Sequence, residues 1–131
     1  MQENVQLVQQ IYAAIGRGDI PEVIGMMADD VEIHLPGPSE IPFAGTFTGH
    51  EGVGQFFQAI GANADILQFE PREFIAQGDH VVVLGHERLT GKSTGRSWDT
   101  DWAMVWMIRD GKVTSLREFH ETSAIAAAFR S

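Results

Sequence analysis

Cysteine is absent from the 131-residue chain. Its absence excludes disulfide bonds, zinc sites with thiolate ligands and cysteine nucleophiles, and it fits the reducing cytoplasm in which we expect the protein. Basic residues are also few, because 9 Lys and Arg stand against 18 Asp and Glu and leave a net charge of −9. Such a surface repels nucleic-acid phosphates and anionic lipids. We therefore expect neither nucleic-acid nor membrane partners.

Long apolar runs are missing as well. No stretch approaches the roughly 18 residues that a transmembrane helix needs, and the first residues lack the basic and then apolar pattern of a signal peptide. The chain also lacks closely spaced metal-ligand patterns and a glycine-rich loop with the lysine that binds nucleotide phosphates, so we expect no metal and no cofactor. The length and a hydrophobic fraction of 44% suit a single domain over residues 1–131.

Apolar residues at helical spacing predict three helices in the first half of the chain. The first ends at Gly16, the second begins after Asp19, and the third follows Thr48. A short strand ending at Pro36 precedes the third helix. Beyond about residue 65 the pattern becomes extended, and four strands lead to an alanine-rich helix at Thr122–Phe129. We predict an α+β fold in which a cone-shaped, curved, mixed but mostly antiparallel sheet wraps around three N-terminal helices, with a short C-terminal helix.

Two of the predicted strands carry most of the interpretable pattern. The run Val81–Leu84 is apolar at every position and predicts a strand buried on both faces. Residues 96–121 predict a hairpin, because Asp110-Gly111 can adopt the positive φ angles of a tight turn. Alternation along the first hairpin strand separates two faces. One face carries Trp98, Thr100, Trp102, Met104, Trp106 and Ile108, and the other carries Asp99, Asp101, Ala103, Val105 and Met107.

The tryptophan face has two interpretations. Aromatic residues at a period of two often form the core of a protein. A sheet that is covered by helices on one side must also bury any large apolar area on its other side. Trp102 and Trp106 are therefore either core residues or the seam of a homodimer that forms through the sheet.

The aspartate face holds the first candidate for chemistry. Asp101 lies on the same face as three apolar residues, where an isolated carboxylate is costly to ionise. Asp101 is then a neutral acid in a pocket, the partner of an arginine across the sheet, or an acid at a strand end that is exposed to water. Asp99 lies nearer the strand end, where it is either a solvated acid or part of the pocket wall.

His120 is the second candidate. A histidine near the end of a sheet, with acids around it, can act as a general base near neutral pH. The alternative is a hydrogen-bonded histidine of the core or rim. His120 shares a strand face with Glu118, whereas the adjacent Glu121 has the opposite parity, and the sequence does not say which of His120 and Glu121 faces inward.

Several segments taken together resemble a known family. They are Leu35-Pro36-Gly37, the glycine-containing residues 43–49, the run 78–85, and residues 102–113. In this order and spacing they are similar to the SnoaL-like, ketosteroid-isomerase-related branch of the nuclear transport factor 2-like superfamily, over about residues 5–129. The resemblance implies a bent sheet around a long helix, an apolar pocket at the open end of the cone, and dimers through the sheet. It leaves the activity open, because this fold hosts isomerases, cyclases, hydrolases, dehydratases and binders.

The resemblance also implies site positions. Leu35 occupies the place of the aspartate that serves as the base in ketosteroid isomerases. Tyr12 lies within about one residue of their oxyanion-binding tyrosine, and Asp101 matches their protonated aspartate. In SnoaL-type cyclases an acid near the end of the last strand corresponds to Glu121, while Met104 stands where many relatives carry histidine.

We therefore predict a small-molecule pocket protein. The leading hypothesis is a cofactor-independent enzyme of the isomerase, polyketide-cyclase or hydratase type that moves a proton on an apolar carbonyl compound. Its catalytic candidates are Asp101, His120 and Glu121. The alternatives are a non-catalytic binder of a hydrophobic metabolite, or a dimeric interaction module that uses its tryptophan face. The residues expected to line the pocket are Tyr12, Leu35, Phe43, Phe57, Asp99 and Glu118.

Overall fold

A computed structural model describes residues 2–130 and confirms the predicted α+β class. Over these residues the helices are α1 (Gln2–Gly16), α2 (Ile20–Gly25), α3 (Gly49–Asn63) and α4 (Thr122–Ala128), and the strands are β1 (Met27–Leu35), β2 (Gly45–Thr48), β3 (Ala64–Gln77), β4 (His80–Gly91), β5 (Ser97–Arg109) and β6 (Lys112–His120). None of the helices in this part of the chain is long and apolar enough to span a bilayer.

The six strands form one mixed, open sheet in the order β2-β1-β6-β5-β4-β3. Only β1 and β6 run parallel, and every other neighbouring pair is antiparallel. The sheet is curved, and irregularities in strand register, which bend a strand locally, occur between Pro71 and Glu73 and between Met107 and Ile108. Pro71 therefore lies in an edge strand at a bulge, where a residue without an N–H group is tolerated.

The hairpin between β5 and β6 forms as predicted. Asp110 and Gly111 both adopt positive φ angles, of 54° and 74°. Two consecutive residues with positive φ angles are typical of a type I′ turn, whose twist matches that of the two strands. Strand β4 differs from its prediction, because burial alternates along it. Val81 and Val83 are fully buried, whereas Leu84 is 37% exposed, so only one face of β4 lies in the core.

The tryptophan face of β5 is the inner face of the sheet. Trp98, Trp102 and Trp106 are at most 3% exposed, and Tyr12 of α1 packs against two of them, with ring centroids 6.1 Å from Trp102 and 5.5 Å from Trp106. The predicted dimer seam at Trp102 and Trp106 is therefore wrong. These two side chains are already buried within one chain, because α1 covers this side of the sheet.

Candidate active site in an apolar cavity

A cavity of about 440 Å³ lies between the inner face of the sheet, helices α1 and α3, and the loop after β1. This volume falls in the range of pockets that hold small organic molecules. Aromatic and aliphatic side chains form most of its wall. The structure places five of the six residues expected to line the pocket in this wall, together with His120. The five are Tyr12, Leu35, Phe43, Phe57 and Glu118.

A buried group of three ionisable side chains forms the polar end of the cavity, and we call Glu87, Glu118 and His120 the acid–histidine cluster. His120 Nε2 lies 2.8 Å from Glu118 Oε1, and His120 Nδ1 lies 3.5 Å from Glu87 Oε2. The imidazole is 4% exposed and each carboxylate 6%. Trp98 Nε1 also donates a hydrogen bond of 2.7 Å to Glu87 Oε2. The cluster is thus held by partners on three strands.

Strand pairing brings the cluster together. Glu118 and His120 are two residues apart on β6, so both project to the inner face. They lie opposite Met104 and Trp102 of β5, while Glu87 approaches from β4, on the other side of β5. Because antiparallel pairing fixes these positions, the three side chains converge without any contribution from a loop.

The two carboxylates determine the protonation of His120. Burial alone would lower the pKa of this imidazole, but the hydrogen bond to Glu118 and the negative charges of Glu118 and Glu87 outweigh burial and raise the pKa from 6.5 to about 10. His120 is therefore an imidazolium at neutral pH. Two carboxylates and one imidazolium leave the cluster with a net charge of −1 in a mostly apolar cavity.

Tyr12 supplies a second polar group from helix α1. Its hydroxyl donates to Met104 Sδ at 3.2 Å and accepts a hydrogen bond of 3.1 Å from Trp106 Nε1. Burial, with a contribution from the nearby Glu118 charge, raises the pKa of Tyr12 far above its ordinary value. The phenol thus remains neutral. Its proton is directed at a weakly accepting sulfur, so the hydroxyl can donate to a better acceptor in the cavity.

Asp99, Asp101 and Glu121 do not lie in this site, which corrects the predicted placement of all three. Asp101 is on the outer face of β5 with its side chain 84% exposed, and it is hydrogen-bonded to His86 Nδ1 at 2.7 Å. Asp99 is also on that face, 57% exposed, and contacts the other nitrogen of His86. Their carboxylates are solvated. Glu121 is exposed at the start of α4.

Glu87 and Trp98 were not among the predicted site residues. A usable signal exists for Glu87, because it has the same parity along β4 as the buried Val81 and Val83. An acid on the buried face of a strand is uncommon unless it is paired. In the described residues 2–130, no group of three or more His, Asp or Glu side chains is arranged to hold a metal ion.

A curved α+β sheet closed by helices over an apolar cavity, with an acid–histidine cluster inside, defines a class of small-molecule pocket proteins. The model of the SnoaL-like domain matches residues 8–116 of this sequence. The chain therefore belongs to the SnoaL-like family, in the nuclear transport factor 2-like superfamily, which confirms the SnoaL-like part of the resemblance inferred from the sequence.

Similar proteins span the whole chain. An uncharacterized protein of Mycobacterium tuberculosis is 29% identical over 96% of this chain and 95% of its own length. The crystal structure of a nuclear transport factor 2-like protein from Burkholderia xenovorans is 40% identical, covers 99% of this chain and 98% of its own, and has a TM-score of 0.92. TerC, co-crystallized with polyporic acid, is 30% identical, covers 98% and 99%, and has a TM-score of 0.87.

Proposed function

We propose that this protein is a cofactor-independent enzyme that moves a proton on an apolar carbonyl compound bound in the cavity. The observation that carries the proposal is the buried Glu118 carboxylate, which is hydrogen-bonded to the His120 imidazolium and shares the wall of an apolar pocket with the neutral Tyr12 phenol. A base and a hydrogen-bond donor in the wall of one apolar cavity are what proton abstraction next to a carbonyl group requires.

The proposed reaction starts when the substrate carbonyl oxygen accepts a hydrogen bond from Tyr12. Glu118 takes a proton from the neighbouring carbon, so the C–H bond breaks and its electron pair forms the enolate. The negative charge moves to the oxygen that Tyr12 holds. Glu118 then returns the proton to a carbon of the conjugated system, and no electrons or other groups are gained or lost.

His120 acts as a positioning residue in this proposal. Its hydrogen bond to Glu118 Oε1 fixes the carboxylate and leaves Glu118 Oε2 for the substrate. The positive charge of His120 also compensates for part of the negative charge in the cluster. Asp101 and Glu121, the other two residues expected to be catalytic, have no part in the proposal because they lie outside the cavity.

The test is proton exchange into an apolar ketone. The protein should accelerate incorporation of deuterium from D₂O at the acidic carbon of 2-tetralone, measured by NMR. Glu118→Gln should reduce the protein-dependent rate at least about 100-fold, because the base is lost. Tyr12→Phe should reduce it by about 10²-fold, because one donor to the developing oxyanion is lost.

Asp101→Asn is the matched control for Glu118→Gln. It makes the same carboxylate-to-amide change on an exposed side chain of the neighbouring strand. The exchange rate of this variant should equal that of the wild type. Equal rates in wild type and Glu118→Gln would overturn the assignment, as would loss of activity in Asp101→Asn alone.

The second candidate function is a non-catalytic binder of an apolar metabolite. Leu35 favours it, because this residue is buried in the cavity wall and the resemblance to ketosteroid isomerases matches it to the position of their base. Polyporic acid, with which TerC was co-crystallized, provides a ligand to test. Micromolar binding of polyporic acid by calorimetry, together with deuterium exchange no faster than in buffer, would favour the binder over the enzyme.

We also propose that the protein forms a homodimer through the outer face of the sheet. Leu84 and Phe119 are 37% and 44% exposed, and both pair with Ala103 of β5 across the strands. Phe119→Asp should convert the dimer to a monomer in sedimentation velocity, because it buries a charge in the seam. Ile66→Asp, an equal change at the cavity side of edge strand β3, should remain dimeric. A monomeric wild type would overturn this proposal.

A further inference from the structure

Glu87 is a buried acid that the proposed reaction does not use. Its side chain is 6% exposed and lies in the cavity wall. Oε2 accepts the hydrogen bond from Trp98 and faces His120. Within the described residues, Oε1 has no hydrogen-bond partner. Because Oε1 is not fully buried, a hydrogen-bond donor on a ligand in the cavity can reach this oxygen.

The polar end of the cavity also contains a donor without a partner, because the buried Nδ1 of His120 makes no hydrogen bond within the described residues. Glu118 also uses one oxygen on a neighbour, His120, and leaves the other without a partner in the described part of the chain. Tyr12 provides a hydroxyl, and no lysine or arginine is found among the described residues of the wall. A carboxylate ligand would therefore meet two carboxylates and a single cation, His120, which is already paired with Glu118.

From these contacts we infer that Glu87 selects the ligand. The cavity takes neutral aromatic or alicyclic compounds that carry a hydroxyl group, whose proton is donated to Glu87, and it rejects the corresponding carboxylates. This inference rests on the proposed function in one respect, because it makes the substrate a neutral hydroxy-substituted carbonyl compound. Tyr12 would bind the carbonyl oxygen and Glu87 the hydroxyl group of the same molecule.

Three probes of similar size separate the effect of hydrogen-bond donation by the ligand from the effect of its charge. 2-Naphthol is neutral and donates a hydrogen bond, 2-methoxynaphthalene is neutral and only accepts, and 2-naphthoate is an anion at neutral pH. Isothermal calorimetry should show that the wild type binds 2-naphthol at least about tenfold more tightly than either of the other two. A site built to bind a hydroxyl group discriminates strongly against analogues that lack one.

Glu87→Gln tests the residue itself. The amide oxygen can still accept from Trp98, while the amide nitrogen presents a donor to the cavity in place of an acceptor. The preference for 2-naphthol over 2-methoxynaphthalene should fall below about threefold, and the affinity for 2-naphthoate should rise. Asp99→Asn is the control, because it makes the same change on the outer face and should leave all three affinities unchanged.

Several results would overturn the inference: tighter or equal binding of 2-naphthoate by the wild type, unchanged selectivity in Glu87→Gln, or no binding of any probe. The outcome is separate from that of the proposed function, which is measured by deuterium exchange. Selective binding without exchange would refute the enzyme and keep the ligand class. Deuterium exchange that is lost in Glu118→Gln, together with equal binding of the three probes, would support the enzyme and refute the ligand class.

Discussion

Gly85→Ala is expected to lower the free energy of unfolding by about 3 kcal/mol. A β-carbon at Gly85 would lie 2.5 Å from the carbonyl oxygen of Glu70 and still closer to the indole ring of Trp102. Neither neighbour can move away easily. The Glu70 oxygen belongs to the backbone of β3, which pairs with β4 at this point. The Trp102 ring is stacked on Phe69 at 5.0 Å and 14°.

The measurement for Gly85→Ala is urea unfolding followed by far-UV circular dichroism. Gly61→Ala is the matched control, because a β-carbon at this exposed position of helix α3 meets nothing within 4 Å. Alanine is the better helix former, so this variant should gain about 0.5–1 kcal/mol. If Gly85→Ala proved as stable as the wild type, Trp102 would not be fixed by its aromatic neighbours.

Raising the pH from 6.5 to 10 is expected to remove about 4 kcal/mol of stability through His120 alone. The pKa of His120 is raised from 6.5 to about 10 in the folded protein, by Glu118 and Glu87 against the opposing effect of burial. Between these two pH values the folded state therefore binds a proton that the unfolded state has lost. This contribution is fully present below pH 6.5 and disappears as the pH rises through about 10.

His120→Gln should remove that part of the pH dependence. It should also lower the unfolding free energy at pH 7 by about 3–5 kcal/mol, since two buried carboxylates lose their cation. Urea unfolding at pH 6, 8 and 9.5 gives the slope for each protein. His86→Gln is the control, because His86 also lies between two carboxylates, those of Asp99 and Asp101. These two carboxylates are solvated, so their ion pairs with His86 contribute less to the free energy of unfolding. If the unfolding free energy of His120→Gln depended on pH as steeply as that of the wild type, His120 would not be the source of the pH dependence.

The sequence predicted which side chains share a face of β5, and it did not predict which face meets the helices. Alternation is a local property, whereas the orientation of a sheet depends on long-range packing. Both faces of β5 carry apolar residues, because Ala103, Val105 and Met107 accompany the two aspartates. A dimer could bury the tryptophans as well as a helix could. The sequence therefore did not decide whether the tryptophans form the core or a dimer seam. For the same reason Asp101 was assigned to the pocket, although it lies on the outer face of the sheet.

The acid–histidine cluster was predictable in part. The parity of β6 places Glu118 and His120 together, and both were among the candidate residues. Glu87 was missed because the valine run before it hides the alternation of β4, which made this strand look buried on both faces. Its approach to His120 depends on the registers of two strand pairs, and no local pattern specifies the two registers together.

The charged groups and the apolar walls of the cavity come from different parts of the chain. Glu87 and Glu118 are carried by central strands, whose hydrogen bonds to both neighbours fix their positions. Phe56, Phe57 and Ile60 belong to helix α3, which rests on the sheet through side-chain packing. Ligand size can therefore be redesigned on one helix while the reactive groups stay in place. The same separation allows ligand size to diverge in evolution without disturbing the charged cluster.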